Sequence, residues 1–272
     1  MRIVEPGVVG YLLLYPPSTA REVLNTVVTE LTSCDSQRST GKADPHEAVY
    51  NLGAILGLAR DNFRCMVTGK VDWGAVRSGL TNCQPHEVPV ITQSCHIFPE
   101  SLGNVAGEAA ECEEHDGAAR TVWTTLRRFG YQDICEELKP AATPTSSNLH
   151  RLENVLTLEP FVHQLFCTLQ LWFEAVGGQP NVYKIALAPG TTHDELFLPP
   201  TVRFVSHHPG LPLPNPRYLH VHAACCRIAH MSGAADYLDS VLREMEEMRV
   251  LAEDGTSVDV LTVAIHRRLA GA

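Results

Sequence analysis

The sequence predicts an α+β fold, and three observations carry that prediction. Short strand-like runs, Arg64 to Lys70, Val88 to Phe98, Asn154 to Leu158 and Val182 to Leu187, recur through the middle of the chain. Longer segments with helical spacing flank them on both sides. The composition, 44% apolar and 19% charged over 272 residues, is that of a chain that buries a core. It excludes a disordered chain, a coiled coil and a collagen-like repeat. No apolar run reaches the roughly 18 residues needed to span a bilayer, so no membrane association is expected.

Taken in order, Val8 to Tyr15 reads as a strand. It follows Glu5 without the basic flank or small-residue cleavage site of a signal peptide. Ala20 to Leu31 places Val23, Val27, Val28 and Leu31 on one helical face, entered through Pro17-Ser18-Thr19. The polar stretch Ser33 to Pro45 is a loop. A helix is expected from about Pro45 to Arg60 on the spacing of Val49, Leu52, Ile55 and Leu56. The Arg64–Lys70 strand runs into a turn at Gly69, and the Val88–Phe98 strand stops at Pro99, which has no N–H for a ladder. In the long insertion that follows, Val122, Trp123, Leu126 and Phe129 predict a helix over Ala118 to Phe129. An acidic patch (Glu108, Glu111, Glu113, Glu114, Asp116) precedes that helix and the Pro140–Ser147 loop follows it.

After the Asn154–Leu158 strand, Pro160 suits a helix first turn. The stripe Val162, Leu165, Phe166, Leu169, Trp172, Phe173, Val176 predicts one continuous helix ending at Gly177-Gly178, with His163 on its flank. Val182 to Leu187 is a strand. A Pro-rich crossing from Leu198 to Pro216 leads to helices over Tyr218 to Met231 and Ala234 to Leu251. The organisation expected is an N-terminal extension (1–60), a central core (61–190) with an insertion at about 100–150, and a helical C-terminal extension (191–272), packed as one compact unit.

Charge and cysteines narrow the function. With 21 Lys+Arg against 31 Asp+Glu the net charge is −10, which speaks against nucleic acid as a partner, since such binders gain affinity by neutralising phosphates. The nine cysteines are odd in number and irregularly spaced, with no C-x-x-C. They read as reduced thiols in a cytoplasmic or nuclear protein. There is no G-x-x-x-x-G-K-[ST], G-x-G-x-x-G, G-x-S-x-G or H-E-x-x-H to support P-loop, Rossmann, serine hydrolase or zincin chemistry.

Three pieces stand out together: Thr92 to Pro99 with His96, Glu153 to Leu158 with Asn154, and His163 to Phe166. They place His, Asn and His in order on a strand end, a strand start and a helix. With Arg64-Cys65-Met66-Val67-Thr68-Gly69, His96-Ile97-Phe98-Pro99, Trp123 to Leu126, Trp172-Phe173-Glu174 and Tyr183, the chain resembles the HNH nucleases of the ββα-metal (His-Me finger) fold, in particular their fungal branch. The resemblance covers about residues 60 to 240.

It implies a ββα core, a divalent metal (magnesium or zinc) and hydrolysis of nucleic-acid phosphodiesters. His96 would be the general base, Asn154 would hold the metal or orient the base, and His163 would be a metal ligand. The chain departs from the pattern at two places. Cys95 stands before His96, where many relatives carry an Asp or His ligand, and Cys167 follows Phe166, where Asp is frequent. Thiolates prefer softer metals, so two readings stay open: Cys95 with His163 favours zinc, or the metal site is degraded.

The alternative reading is an enzyme on the same scaffold doing acid/base chemistry on a small organic substrate in fungal secondary metabolism. A non-catalytic interaction protein is the third. A further trio, His222, Cys226 and His230, shares a helix face, a pattern that packing alone explains.

Overall fold

A computed structural model describes residues 45–99, 102, 122–138, 148–208 and 210–247. The expected strand at Val8–Tyr15, the helix at Ala20–Leu31, the loop at Ser33–Pro45 (Pro45 itself apart), the acidic patch at 108–116 and the Pro140–Ser147 loop lie outside these residues.

Two small sheets and the helices packed on them make an α+β fold. Helix α1, Pro45–Arg60, takes the expected span. Its Gly57 lies against β2, where an added Cβ would touch Val155 and Thr157 at ordinary contact distance. The expected strand at Arg64–Lys70 is instead a tight turn closed by a single bridge between Arg64 and Val71. Gly69, at φ +70°, supplies the left-handed residue that turn needs. Met66 N–H donates to the Thr157 carbonyl, which docks the turn on β2. A short helix α2, Trp73–Arg77, follows, capped by the Asp72 carboxylate on Ala75 N–H.

The long extended run shrinks to β1, Gln93–His96, because only this part finds a ladder partner. It pairs antiparallel with β2, Val155–Leu158, in the register Cys95↔Leu156 and His96↔Val155. All of β2 is buried. Helix α3 spans 122–128. Trp123 and Leu126 of its stripe are buried, but Phe129 is exposed just past the helix end. A second helix, α4 (Gln132–Leu138), was not legible in the sequence. It buries Ile134, Cys135 and Leu138. Two 3-10 turns, Asn148–His150 and Leu152–Asn154, lead into β2.

The largest departure concerns the stripe from Val162 to Val176. Helix α5 covers only Pro160–Cys167. Leu171–Ala175 is strand β3, paired with β4, Val182–Leu187. The helix ends in a Schellman motif: Gln170 N–H bonds the Leu165 carbonyl and Leu169 N–H bonds the Phe166 carbonyl. Leu169 holds the left-handed position, φ +63°, that glycine normally marks. Apolar residues at 162, 165, 166, 169, 172 and 173 fit a helix equally well, so the periodicity alone was ambiguous. Beyond β4 comes a one-turn helix α6 (His193–Leu196), and a third strand β5 (Thr201–Arg203) falls in the segment read as a crossing.

Helix α7, Pro216–Ser232, ends at Gly233 with φ +77°, and α8 runs over Ala234–Glu247. One core joins both sheets with α5 and α7, through Cys95, Leu156, Phe166, Phe173, Ile185 and Tyr218. Among the described residues, no helix is long and apolar enough to cross a membrane.

Candidate active site and metal-ligating cluster

The hairpin β1–β2 and helix α5 place the candidate residues. Successive side chains on a strand point to opposite faces, so Gln93 and Cys95 share one face of β1 and Ser94 and His96 take the other. Residues four apart on a helix lie on one face, so His163 and Cys167 present together from α5. These two faces meet. Cys95 Sγ lies 4.0 Å from Cys167 Sγ, and His163 Nδ1 is 2.8 Å from Gln93 Oε1. Cys95, His163 and Cys167 offer ligand atoms all within 4.8 Å of one another. Cys95 is buried, His163 half-buried and Cys167 exposed, so the cluster opens to the surface on the α5 side. Burial, and then the neighbouring Cys167 thiol, push the Cys95 thiol well above its ordinary range.

His96 is turned to the other face of β1. Its Nε2 lies 3.1 Å from His150 Nδ1, with the two rings edge to face at 5.1 Å between centroids. Asn154 stands between these groups. It is fully buried, its Oδ1 accepts the Phe98 N–H at 2.9 Å, and its Nδ2 donates to the carbonyls of Phe98 at 3.0 Å and Leu149 at 2.8 Å. Phe98 is two residues after His96 and Leu149 is one before His150. One amide therefore splints the backbone beside both histidines. The structure thus brings His163 to Cys95, sets His96 against His150, and commits the Asn154 side chain to backbone groups.

Residues 65–174 match the HNH endonuclease family model. No curated protein and no solved structure matches the chain significantly. The HNH-matching segment begins in the Arg64–Val71 turn and ends in β3. It contains every residue of the cluster together with His96, His150 and Asn154.

A divalent metal goes with that family, and the residues present decide which kind fits. The cluster supplies one imidazole and two thiols. None of its three ligand atoms is an oxygen. Magnesium, which demands octahedral oxygen coordination, does not fit it, whereas a borderline-soft ion of the zinc class does.

The sequence reading missed two partners in this HNH-type segment. Gln93 could have been found from the alternation of β1, which puts it on the Cys95 face. His150 carried no local signal, because its partner is 54 positions away and it follows a Pro- and Thr-rich stretch. The trio on α7 has a structural explanation. His222 Nε2 bonds the Phe166 carbonyl at 3.2 Å and His230 Nε2 bonds the Leu169 carbonyl at 2.8 Å, so both tie down the end of α5. Of the basic residues that are candidates to line a groove, Arg151 is bound to Glu153 at 3.0 Å. Arg127 and Arg128 are exposed on α3.

Proposed function

We propose that this protein is a metal-dependent hydrolase of nucleic-acid phosphodiesters with His96 as general base. The reading is carried by the match of residues 65–174 to the HNH endonuclease model, with the β1–β2–α5 unit and its His96, Asn154 and His163 inside that span. The likeness of Arg64–Gly69 and His96–Pro99 to the fungal branch belongs to the same proposal.

The contact between His96 Nε2 and His150 Nδ1, 3.1 Å, positions the imidazole that would take a proton from water. The imidazole takes the water proton as the oxygen attacks phosphorus. One P–O bond forms, the P–O bond to the leaving oxygen breaks, and that oxygen takes a proton from solvent water, giving a phosphomonoester and a hydroxyl while the imidazolium returns its proton to solvent. Asn154 acts through the backbone, holding the ends of both segments that carry the imidazole pair. His163 keeps Nδ1 on Gln93, so Nε2 is the atom that would hold an ion. A bound divalent ion would supply neutralisation of the charge that builds on the phosphate.

The test is cleavage of plasmid, single-stranded DNA and RNA with Zn²⁺, Mn²⁺, Ni²⁺ or Mg²⁺. General-base catalysis is worth about 10²–10⁴ in rate, so His96→Ala should lose at least two orders of magnitude. If the wild-type protein leaves all three substrates uncut with every ion, the reading fails. The net charge of −10 supports a second reading, acid/base chemistry by the same histidine pair on a small organic substrate. That reading predicts uncut nucleic acid together with saturable binding of an uncharged or cationic small molecule that His96→Ala weakens.

A further inference from the structure

We infer that Cys95, His163 and Cys167 form a three-ligand zinc centre with an open fourth position, rather than a magnesium site. Geometry supports this first. Two thiolates each about 2.3 Å from a tetrahedral ion lie about 3.8 Å apart, and a thiolate and an imidazole nitrogen about 3.5 Å apart. The Cys95 and Cys167 sulfurs are 4.0 Å apart, and all three ligand atoms fall within 4.8 Å of one another. Closing the set on an ion therefore takes shifts of an ångström or less. The sulfurs are also far beyond the bonding distance of a disulfide, roughly 2.05 Å.

The surroundings support it second. A ligating histidine normally has its other ring nitrogen held by a partner that fixes ring and tautomer. Gln93 Oε1 does this at His163 Nδ1, 2.8 Å away, so Nε2 is the ring atom that would ligate. Gln93 reaches it because β1 puts Gln93 and Cys95 on one face, so a single strand supplies both a ligand and the partner behind another. Third, the three protein ligands leave one tetrahedral position vacant, and the cluster runs from buried Cys95 to exposed Cys167. The vacant position therefore lies on the open side, within reach of a water or a substrate oxygen, as in catalytic rather than structural zinc sites.

This inference uses the same site as the proposed hydrolysis but is read by metal content, so either can fail without the other. The full-length protein is purified under reducing conditions, stripped with chelator, loaded with Zn²⁺ or Co²⁺ and dialysed. The expected result is one equivalent of zinc and, with cobalt, a thiolate-to-metal charge-transfer band. A large excess of Mg²⁺ should neither displace the zinc nor raise the Tm. Gln93→Leu should weaken zinc about 10–100-fold, the usual cost of losing the partner behind a ligating histidine. Cys167→Ser and His163→Gln should weaken it further, and Cys225→Ser should leave it unchanged. Cys167 and His163 are not fully buried, so these variants keep the fold, which a denaturation curve in chelator verifies. The inference is overturned if zinc does not bind stoichiometrically, if Cys167→Ser and His163→Gln bind it as well as wild type, if the cobalt protein lacks the thiolate band, or if Cys95 and Cys167 are disulfide-linked in freshly reduced protein returned to buffer with zinc.

Discussion

Asn154 makes the most consequential contacts of any single residue near the site. Its buried amide satisfies one backbone N–H and two backbone carbonyls. Leaving a buried backbone group unpaired costs about 1–3 kcal/mol each. Asn154→Ala should therefore cost about 3 kcal/mol or more in urea unfolding, and Asn154→Asp somewhat less, because it keeps the acceptor for Phe98 N–H. A loss below about 1 kcal/mol would show that the splint is not needed.

His222 offers a pH test on the same scale. Burial pulls its pKa down to about 4, against the bond to the Phe166 carbonyl, which raises it. The unfolded imidazole protonates near 6.5, so between pH 6.5 and 4 the unfolded state binds the extra proton. The contribution of His222 is thus fully present above about pH 6.5 and falls as pH drops, by about 1.4 kcal/mol per pH unit, levelling near pH 4. His222→Gln keeps a donor for the carbonyl and should flatten that part of the stability–pH curve. An unchanged slope would mean that the ring protonates freely in the folded protein.

At the scale of elements, α1 is pressed onto the turn that carries His150. A Cβ on Gly53 would sit 2.9 Å from the His150 carbonyl oxygen, a backbone atom that cannot swing aside. Gly53→Ala should cost about 1–3 kcal/mol as overpacking does, and should also disturb the His96–His150 bond. Gly57→Ala, whose added methyl meets only ordinary contacts at 3.5 and 3.6 Å, should be neutral or gain up to about 1 kcal/mol from helix propensity. Thermal unfolding of the pair checks this: equal Tm changes would refute the close approach.

The junction of α5 and β3 shows why one element was misread. The apolar spacing continued past Cys167, and the stop came from a leucine in a left-handed conformation. Phe166 and Leu169 carbonyls at that stop are then held by His222 and His230, from a helix that starts some fifty residues later.

For the whole molecule, Arg60 is the tie between distant segments. It is fully buried, pairs with Asp61 at 2.8 Å, and donates to the carbonyls of Leu152, Val155 and Pro212 at 2.9, 3.0 and 3.3 Å. It thus joins the end of α1 to the start of β2 and to the segment before α7. Breaking one side of a buried ion pair costs about 3–5 kcal/mol. Arg60→Met should fall in that range, and the double variant Arg60→Met/Asp61→Asn should recover part of the loss, because burial already raises the Asp61 pKa. No recovery in the double variant would place the cost in the three carbonyls instead.

The sequence by itself determined the α+β class, helix α1 from Pro45 to Arg60, strand β4, the start of α5 at Pro160 and the identities of Cys95, His96, Asn154 and His163 as the residues to watch. Each of these rests on local information: a periodic face, a proline that sets an entry, or residue types in a recognisable order. Only the tertiary structure decided the partners. It placed Cys167 against Cys95, Gln93 behind His163 and His150 against His96, and it turned half of an apparent helix into a strand. Those outcomes depend on contacts between segments tens of residues apart, whose closure is governed by packing and by the register of β1 on β2. A local pattern records which face a side chain takes, but carries no information about what that face will meet.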